Sequence, residues 1–246
     1  MRLLIDLGNT RLKWARSGAG EWRPGAAAYG EHDLNVLLDE VWSQFTTPTA
    51  VVMVSVGAQD ARRVIEQWIR SRWELRVHHV VAQPQQLGVI NTYRDPAALG
   101  ADRWVALIGA RGEVPATAVC VVDCGTAVTI DALTAQGEFA GGVIFPGLAL
   151  LRTALARGTA GIGAAEGDET SCLARSTADA VAAGTVYGLA GAIERVCHEF
   201  ERALDEAVKL LVTGGDADRI AGHLNRPARR IPDLVLKGLE RIATTL

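Results

Sequence analysis

Apolar residues recur along this chain with two different periods, and their alternation places strands and helices in a mixed order. Short aliphatic runs at 2–7, 12–17 and 50–56 read as strands. Between and after them, EHDLNVLLDEVWSQF (31–45) and AQDARRVIEQWIRSR (58–72) place apolar residues three to four positions apart, the spacing of amphipathic helices. Further on, TAVCVVDCGTAVTIDALTAQGEF (117–139) begins again with an apolar strand, a polar tip and a returning strand. STADAVAAGTVYGLAGAIERVCHEFERAL (176–204) then reads as one long helix. The class expected from this order is α/β.

The second start is a copy of the first. Asp6 aligns with Asp123, Gly8 with Gly125, Gly20 with Gly137, Glu21 with Glu138 and Trp22 with Phe139, every pair 117 residues apart. Chance gives two such matches, hardly five in register. A weaker echo pairs VSVGAQDARRV (54–64) with VTGGDADRIAG (212–222), each a strand, a small-residue turn and a helix start. Two related halves are expected, 1–115 and 116–246, joined through EVPAT (113–117). Gly184, Gly188 and Gly191 share part of one face of the long helix, and helix propensity disfavours them. A close backbone approach is the expected reason.

Composition narrows the function classes. The 246 residues are 49% hydrophobic and 22% charged, ordinary for a protein that buries a core. A formal net charge of −3 removes the simplest argument for nucleic-acid binding, and the basic run Arg226, Arg229, Arg230 reads as a solvated loop. The most apolar windows, WVALIGA and VIFPGLALL, fall far short of the roughly 20 residues of a membrane-spanning helix. A carboxylate at the sixth residue comes too early for the apolar core of a signal peptide, so a cytoplasmic protein is expected. Cys120, Cys124, Cys172 and Cys197 lack paired C-x-x-C spacing, and His32, His78, His79, His198 and His223 lack ligand spacing. Reduced thiols and scattered histidines are expected rather than a zinc site.

The chemistry is expected at the two D-x-G tips. A lone D-L-G-N-T is a hairpin turn; two in register can face one another across a cleft. Asp6 and Asp123 then offer oxygen ligands to a hard cation, directly or through water. Backbone N–H groups at Gly8–Thr10 and Gly125–Ala127 can receive phosphate oxygens, because glycine lets the chain approach an anion, and Lys13 adds a positive charge. Asp102 and Arg103 sit near the start of a helix after a Pro96-containing loop. Asp102 is either a helix cap or the group that takes a proton from an attacking hydroxyl. Arg103 offers a planar fork to a carboxylate or phosphate, or forms a surface ion pair. Thr213, Gly214 and Gly215 make a strand-end turn, either an ordinary tight turn or a surface for an adenosine. Cys124 is expected to be a small apolar filler beside the second tip.

These segments together resemble the type III pantothenate kinases of the actin, sugar-kinase and heat-shock ATPase superfamily. The resemblance is carried by DLGNTRLK (6–13), YRDPAALGADRW (93–104), DCGTAVTID (123–131), GGVIFPG (141–147), STADAV (176–181) and VTGGDA (212–217). It implies two duplicated ribonuclease-H-like domains with a nucleotide cleft between them. It implies ATP-dependent phosphorylation of pantothenate to 4′-phosphopantothenate, the first step toward coenzyme A, in a homodimer. By the same resemblance ATP is bound by Asp6, Leu7, Gly8, Asn9, Thr10, Arg11, Leu12, Lys13, Gly125, Thr126, Thr213, Gly214 and Gly215. Pantothenate is bound by Tyr93, Gly100, Ala101, Asp102, Arg103 and Thr177, with Asp102 the catalytic base. Mg2+ accompanies ATP, and a monovalent cation, K+ or NH4+, is expected at Asp123. The competing reading is a non-catalytic, nucleotide-sensing accessory protein of the same fold; such a relative is expected to lose Asp102, Lys13 or one D-x-G acid, and all are present.

Overall fold

The computed structural model describes residues 1–18, 20–30, 33–57, 59–163 and 166–246; His32 lies outside them. The chain divides into two compact units, one of Met1–Pro115 with Asp233–Leu246, the other of Ala116–Pro232. At both crossings the first residue beyond the boundary, Ala116 or Asp233, takes a positive φ (49° and 55°), the left-handed conformation of a sharp reversal.

The first unit is built on β1 (Arg2–Leu7), β2 (Arg11–Gly18), β3 (Glu21–Ala28), α1 (Leu34–Trp42), β4 (Ala50–Ser55), α2 (Gln59–Trp73) and β5 (Val77–His79), its sheet running β3-β2-β1-β4-β5. The first two pairings are antiparallel hairpins, and β1-β4 and β4-β5 are parallel. Leu3, Ile5 and Leu7 alternate inward on β1 and are fully buried with Leu38, Ile65 and Ile69 from the covering helices. Trp42 is buried at the centre of an aromatic group, its ring edge-on to Trp14 and Trp68 at 5.9 and 5.8 Å. A short antiparallel pair, β6 (Gln85–Gln86) and β7 (Val89–Asn91), leads through a 3-10 turn at Pro96–Ala98 into α3 (Ala101–Glu113).

The second unit contains β8 (Val119–Cys124), β9 (Ala127–Leu133), β10 (Glu138–Pro146), α4 (Leu148–Gly158), α5 (Thr177–Leu204), β11 (Lys209–Thr213), α6 (Ala217–Ala221) and β12 (Ala228–Arg230). Its strands lie in the order β12-β11-β8-β9-β10, with β11 parallel to β8 and to β12. The core joins Val122, Val128, Ile130 and Val212 to Val186, Leu189 and Ile193 of α5.

Several expectations change here. The last helix, α7 (Leu234–Ala243), packs with the first unit and not with the second half to which 116–246 assigned it. Its Leu234, Val235, Leu236, Leu239 and Ile242 are buried, and it lies against α3, where every residue from Arg103 to Ala110 is buried. A helix buried on all sides needs cover on all sides, and α7 supplies what α3 lacks. The basic run is a loop only in part: Arg226 stands in a bend while Arg229 and Arg230 lie exposed on β12, and Arg226 and Arg230 pair with Glu201 and Asp218. The α5 glycines are exposed, and beyond the helix's own backbone a Cβ at Gly184, Gly188 or Gly191 would meet nothing among the described residues within 4 Å. No helix among the described residues is long and apolar enough to cross a membrane.

Candidate active site

Asp6 ends the apolar run of β1, with only 7% of its surface exposed, opposite Lys13 in the hairpin register. The Lys13 ammonium lies 3.8 Å from its carboxylate. The tip is closed by the Gly8 N–H donating to the Arg11 carbonyl at 3.1 Å, while Asn9 and Thr10 stand exposed. Two residues outside the motif hold this tip in place. The Tyr29 hydroxyl donates to the Gly8 carbonyl at 2.5 Å, and burial pushes its phenol pKa up, keeping the proton on the donor. Gly57, in the turn leaving β4, donates to the Leu7 carbonyl at 3.1 Å, and a Cβ there would stand 2.5 Å from the Gly8 oxygen. The turn needs glycine because the tip is packed against it. For Gly57 a signal existed in the VSVGAQD echo; for Tyr29 there was none.

The second tip repeats the idea with a different register. Asp123 pairs with Thr129, and the Gly125 N–H donates to the Ala127 carbonyl at 3.1 Å, a tip one residue tighter than the first. The constant offset of 117 conceals this, because the β9-β10 turn is one residue longer than the β2-β3 turn: five residues separate the pair Leu133 and Phe139, four the pair Ser17 and Trp22. Gly147 closes the tip from the other side, its N–H donating to the Thr126 carbonyl at 2.9 Å. Cys124 is fully buried beside it, and burial pushes its thiol up to about 12, as an apolar filler requires.

Thr213, Gly214 and Gly215 are brought against this same tip. Because β11 runs parallel to β8, Thr213 lies level with Asp123, and the Asp216 N–H donates to the Cys124 carbonyl at 3.0 Å. Gly214 has φ +96°, and a Cβ on it would stand 2.5 Å from the Asp123 carboxylate and from the Cys124 carbonyl. Only glycine fits both constraints.

In the first unit a loop and a helix start gather Tyr93, Gly100, Ala101, Asp102 and Arg103. Asn91 accepts from the Tyr93 N–H at 3.1 Å, and Asp95 caps the 3-10 turn by accepting from the Ala97 N–H at 3.0 Å. The helix cap of α3 is Gly100, so Asp102 is not a cap: it sits in the first turn, its carboxylate accepting from the Arg103 N–H at 2.8 Å. Arg103 is no surface ion pair. It is 6% exposed, and its guanidinium donates to the Tyr93 hydroxyl at 2.9 Å. In the second unit Thr177 is exposed at the first position of α5, one residue after the true cap, Ser176, whose hydroxyl accepts from the Asp179 N–H at 3.1 Å. Among the described residues no three His, Cys, Asp or Glu side chains gather as a metal cluster.

A family model described as type III pantothenate kinase matches residues 2–199. Curated proteins of that description match over nearly the whole chain. One from Nitrosococcus oceani is 39% identical, with 99% of this chain and 94% of the other covered; one from Paracidovorax citrulli is 40% identical, with 98% and 97% covered. Among solved structures, a Campylobacter jejuni protein described as a Baf family transcriptional activator superposes with a TM-score of 0.61 at 19% identity, covering 99% of this chain and 98% of that one. A Sinorhizobium meliloti protein described as a 2-dehydro-3-deoxygalactonokinase gives 0.63 at 16% identity, covering 100% and 99%. These two likenesses show the fold alone, an α/β fold, and give the non-catalytic reading no support. With its D-x-G tips, GADR helix start and glycine turn all in place, the chain belongs to the type III pantothenate kinases, the enzymes that phosphorylate pantothenate in coenzyme A biosynthesis.

Proposed function

We propose that the chain binds ATP through both D-x-G tips and transfers its terminal phosphoryl group to pantothenate held at the GADR helix start. The reading is carried by one observation: two tight tips, each following a buried strand whose second-last residue is an aspartate and leaving backbone N–H groups at the bend, in a member of a kinase family. Residues 6–13 cradle phosphates with Gly125 and Thr126, and the Thr213–Gly215 turn lies along the adenosine. Tyr93, Gly100–Arg103 and Thr177 hold pantothenate. Asp102 takes the proton of the attacking hydroxyl, and Arg103, kept straight by Tyr93, offers its fork to an anionic group. Asp95 is occupied in capping its turn, which favours Asp102 as the base.

Asp6 and Asp123 supply hard oxygen donors of the kind Mg2+ and K+ or NH4+ accept, Asp6 toward Mg2+ and Asp123 toward either ion. Phosphate oxygens and water would supply the remaining ligands of a bound cation. When bound, the cations neutralise charge on the phosphates. Asp6→Asn and Asp123→Asn are each expected to lower activity on the order of 10²-fold with unchanged circular dichroism. Asp123→Asn is further expected to abolish any difference between K+ and Na+ buffers. An unfolded variant makes that acid structural; a K+ response surviving Asp123→Asn moves the monovalent site elsewhere.

We also propose a homodimer, working in the cytoplasm. α3 does not contribute the apolar surface, because α7 covers it. Support comes from Val143 and Ile144 on β10, Leu150 and Leu155 on α4 and Tyr187 on α5, all exposed on elements that pack beside one another, next to the bare α5 glycines. Specific activity is expected to fall on dilution, with the KM for pantothenate rising first. A fully active monomer by light scattering contradicts this.

A further inference from the structure

The second unit contains a network of charged side chains centred on Glu169, a residue outside every motif discussed so far. Glu169 lies in the stretch between α4 and α5 and takes two guanidinium groups at once. Arg152 of α4 donates to Oε1 at 2.6 Å and also reaches the Thr185 hydroxyl at 3.3 Å. Arg219 of α6 donates to both Glu169 oxygens through its Nε, at 3.2 Å, and Nη2. A third nitrogen of Arg219 donates to the Asp216 carboxylate at 3.0 Å. The His223 ring spans from the Arg219 carbonyl at 2.9 Å to the Glu169 carbonyl at 3.1 Å, and Tyr187 stands edge-on to it at 4.9 Å.

Isolated exposed ion pairs contribute little, but a bidentate fork within a network of several charges is the exception. The side chains of Glu169 and Arg152 are each only 20% exposed, and that of Arg219 is 41% exposed. The Arg219 fork, with Arg152 behind it, holds the Glu169 carboxyl below its ordinary range.

The contacts form a continuous path. At one end, Asp216 is bonded to the Cys124 carbonyl in the second tip and follows directly on Gly214 and Gly215. At the other, Asp168 donates its N–H to the Asp179 carboxylate at 2.8 Å, and Asp179 and Ser176 bond reciprocally to start α5 at Thr177. Glu169 is the link between the two.

We propose that Glu169 is a positioning residue for the kinase reaction: through Arg219 and Asp216 it fixes the acceptor-side start of α5 relative to the nucleotide-side turn, within the second unit. The inference rests on the assignment above of Thr177 to pantothenate and of Gly214–Gly215 to ATP. Its effect belongs to pantothenate binding, because Arg219 keeps its bond to Asp216 when Glu169 is lost.

The experiment is steady-state kinetics on the full chain with ATP and pantothenate varied separately. Glu169→Gln is expected to raise the KM for pantothenate about tenfold, with kcat and the KM for ATP changed less than about threefold. Arg219→Gln raises the same KM, and the double variant is expected to be no worse than the worse single one, because both remove one link. An unchanged KM for pantothenate, or independent effects that multiply in the double variant, overturns the proposal. If Glu169→Gln does not fold, Arg219→Lys, which keeps the charge and removes the fork, is expected to give a smaller rise of the same kind, and no rise there overturns it equally. Thr177→Val separates the two levels. A raised KM in Thr177→Val with none in Glu169→Gln defeats this inference alone; no effect in Thr177→Val defeats the site assignment and this inference with it.

Discussion

Asp102→Asn is expected to lower turnover with pantothenate on the order of 10²–10⁴-fold, the usual contribution of a positioned general base. The substitution keeps shape and one acceptor oxygen, so the contact from the Arg103 N–H at 2.8 Å survives and α3 should start as before. What is lost is basicity. Thermal melting and nucleotide binding are therefore expected to match the unaltered chain, and the loss to appear in kcat more than in either KM. Asp95 is a poor substitute base because its carboxylate already caps the Pro96–Ala98 turn. Near-normal turnover in Asp102→Asn would remove the base from this helix start altogether.

Gly214→Ala is expected to damage both stability and activity. The residue sits at φ +96°, and its new methyl carbon would stand 2.5 Å from the Asp123 carboxylate and the Cys124 carbonyl, so β11 must move away from β8 or the second tip must deform. Backbone strain and overpacking each cost about 1–3 kcal/mol, so a loss of roughly 2–6 kcal/mol is expected. For a chain of this size that lowers the melting temperature by roughly 4–24 °C. Because the displaced group is Asp123 itself, activity at a temperature where the variant is still folded should fall as well. A variant that melts and turns over like the original would mean that the turn relaxes freely and does not constrain the tip.

Much of the fold could be read from the chain because strands and helices here keep their periods. β1, β2 and β4 lie within a residue or so of the runs at 2–7, 12–17 and 50–56, and α5 covers nearly all of the long helical pattern. The site motifs could be read because D-x-G and G-A-D-R are local in sequence. What could not be read depends on packing partners. The amphipathic pattern of α7 states that one face is buried and not which unit buries it. A constant offset of 117 cannot distinguish equal hairpins from a tighter tip offset by a longer following turn. Tyr29 and Glu169 lie in stretches without period or motif, and only the folded chain brings one to the Gly8 carbonyl and the other to Arg219. The α5 glycines are exposed together, and the neighbour they were expected to admit is not found among the described residues.

The central claim is phosphoryl transfer from ATP to pantothenate, and it is tested most directly by ADP release from the full chain. ATP, Mg2+ and K+ are supplied with pantothenate, or with other small alcohols and sugar acids in its place, and the product is checked by mass. The account predicts rapid ADP release with pantothenate alone and a product heavier by one phosphoryl group. ADP release that ignores pantothenate, or that responds to a sugar acid instead, would contradict it.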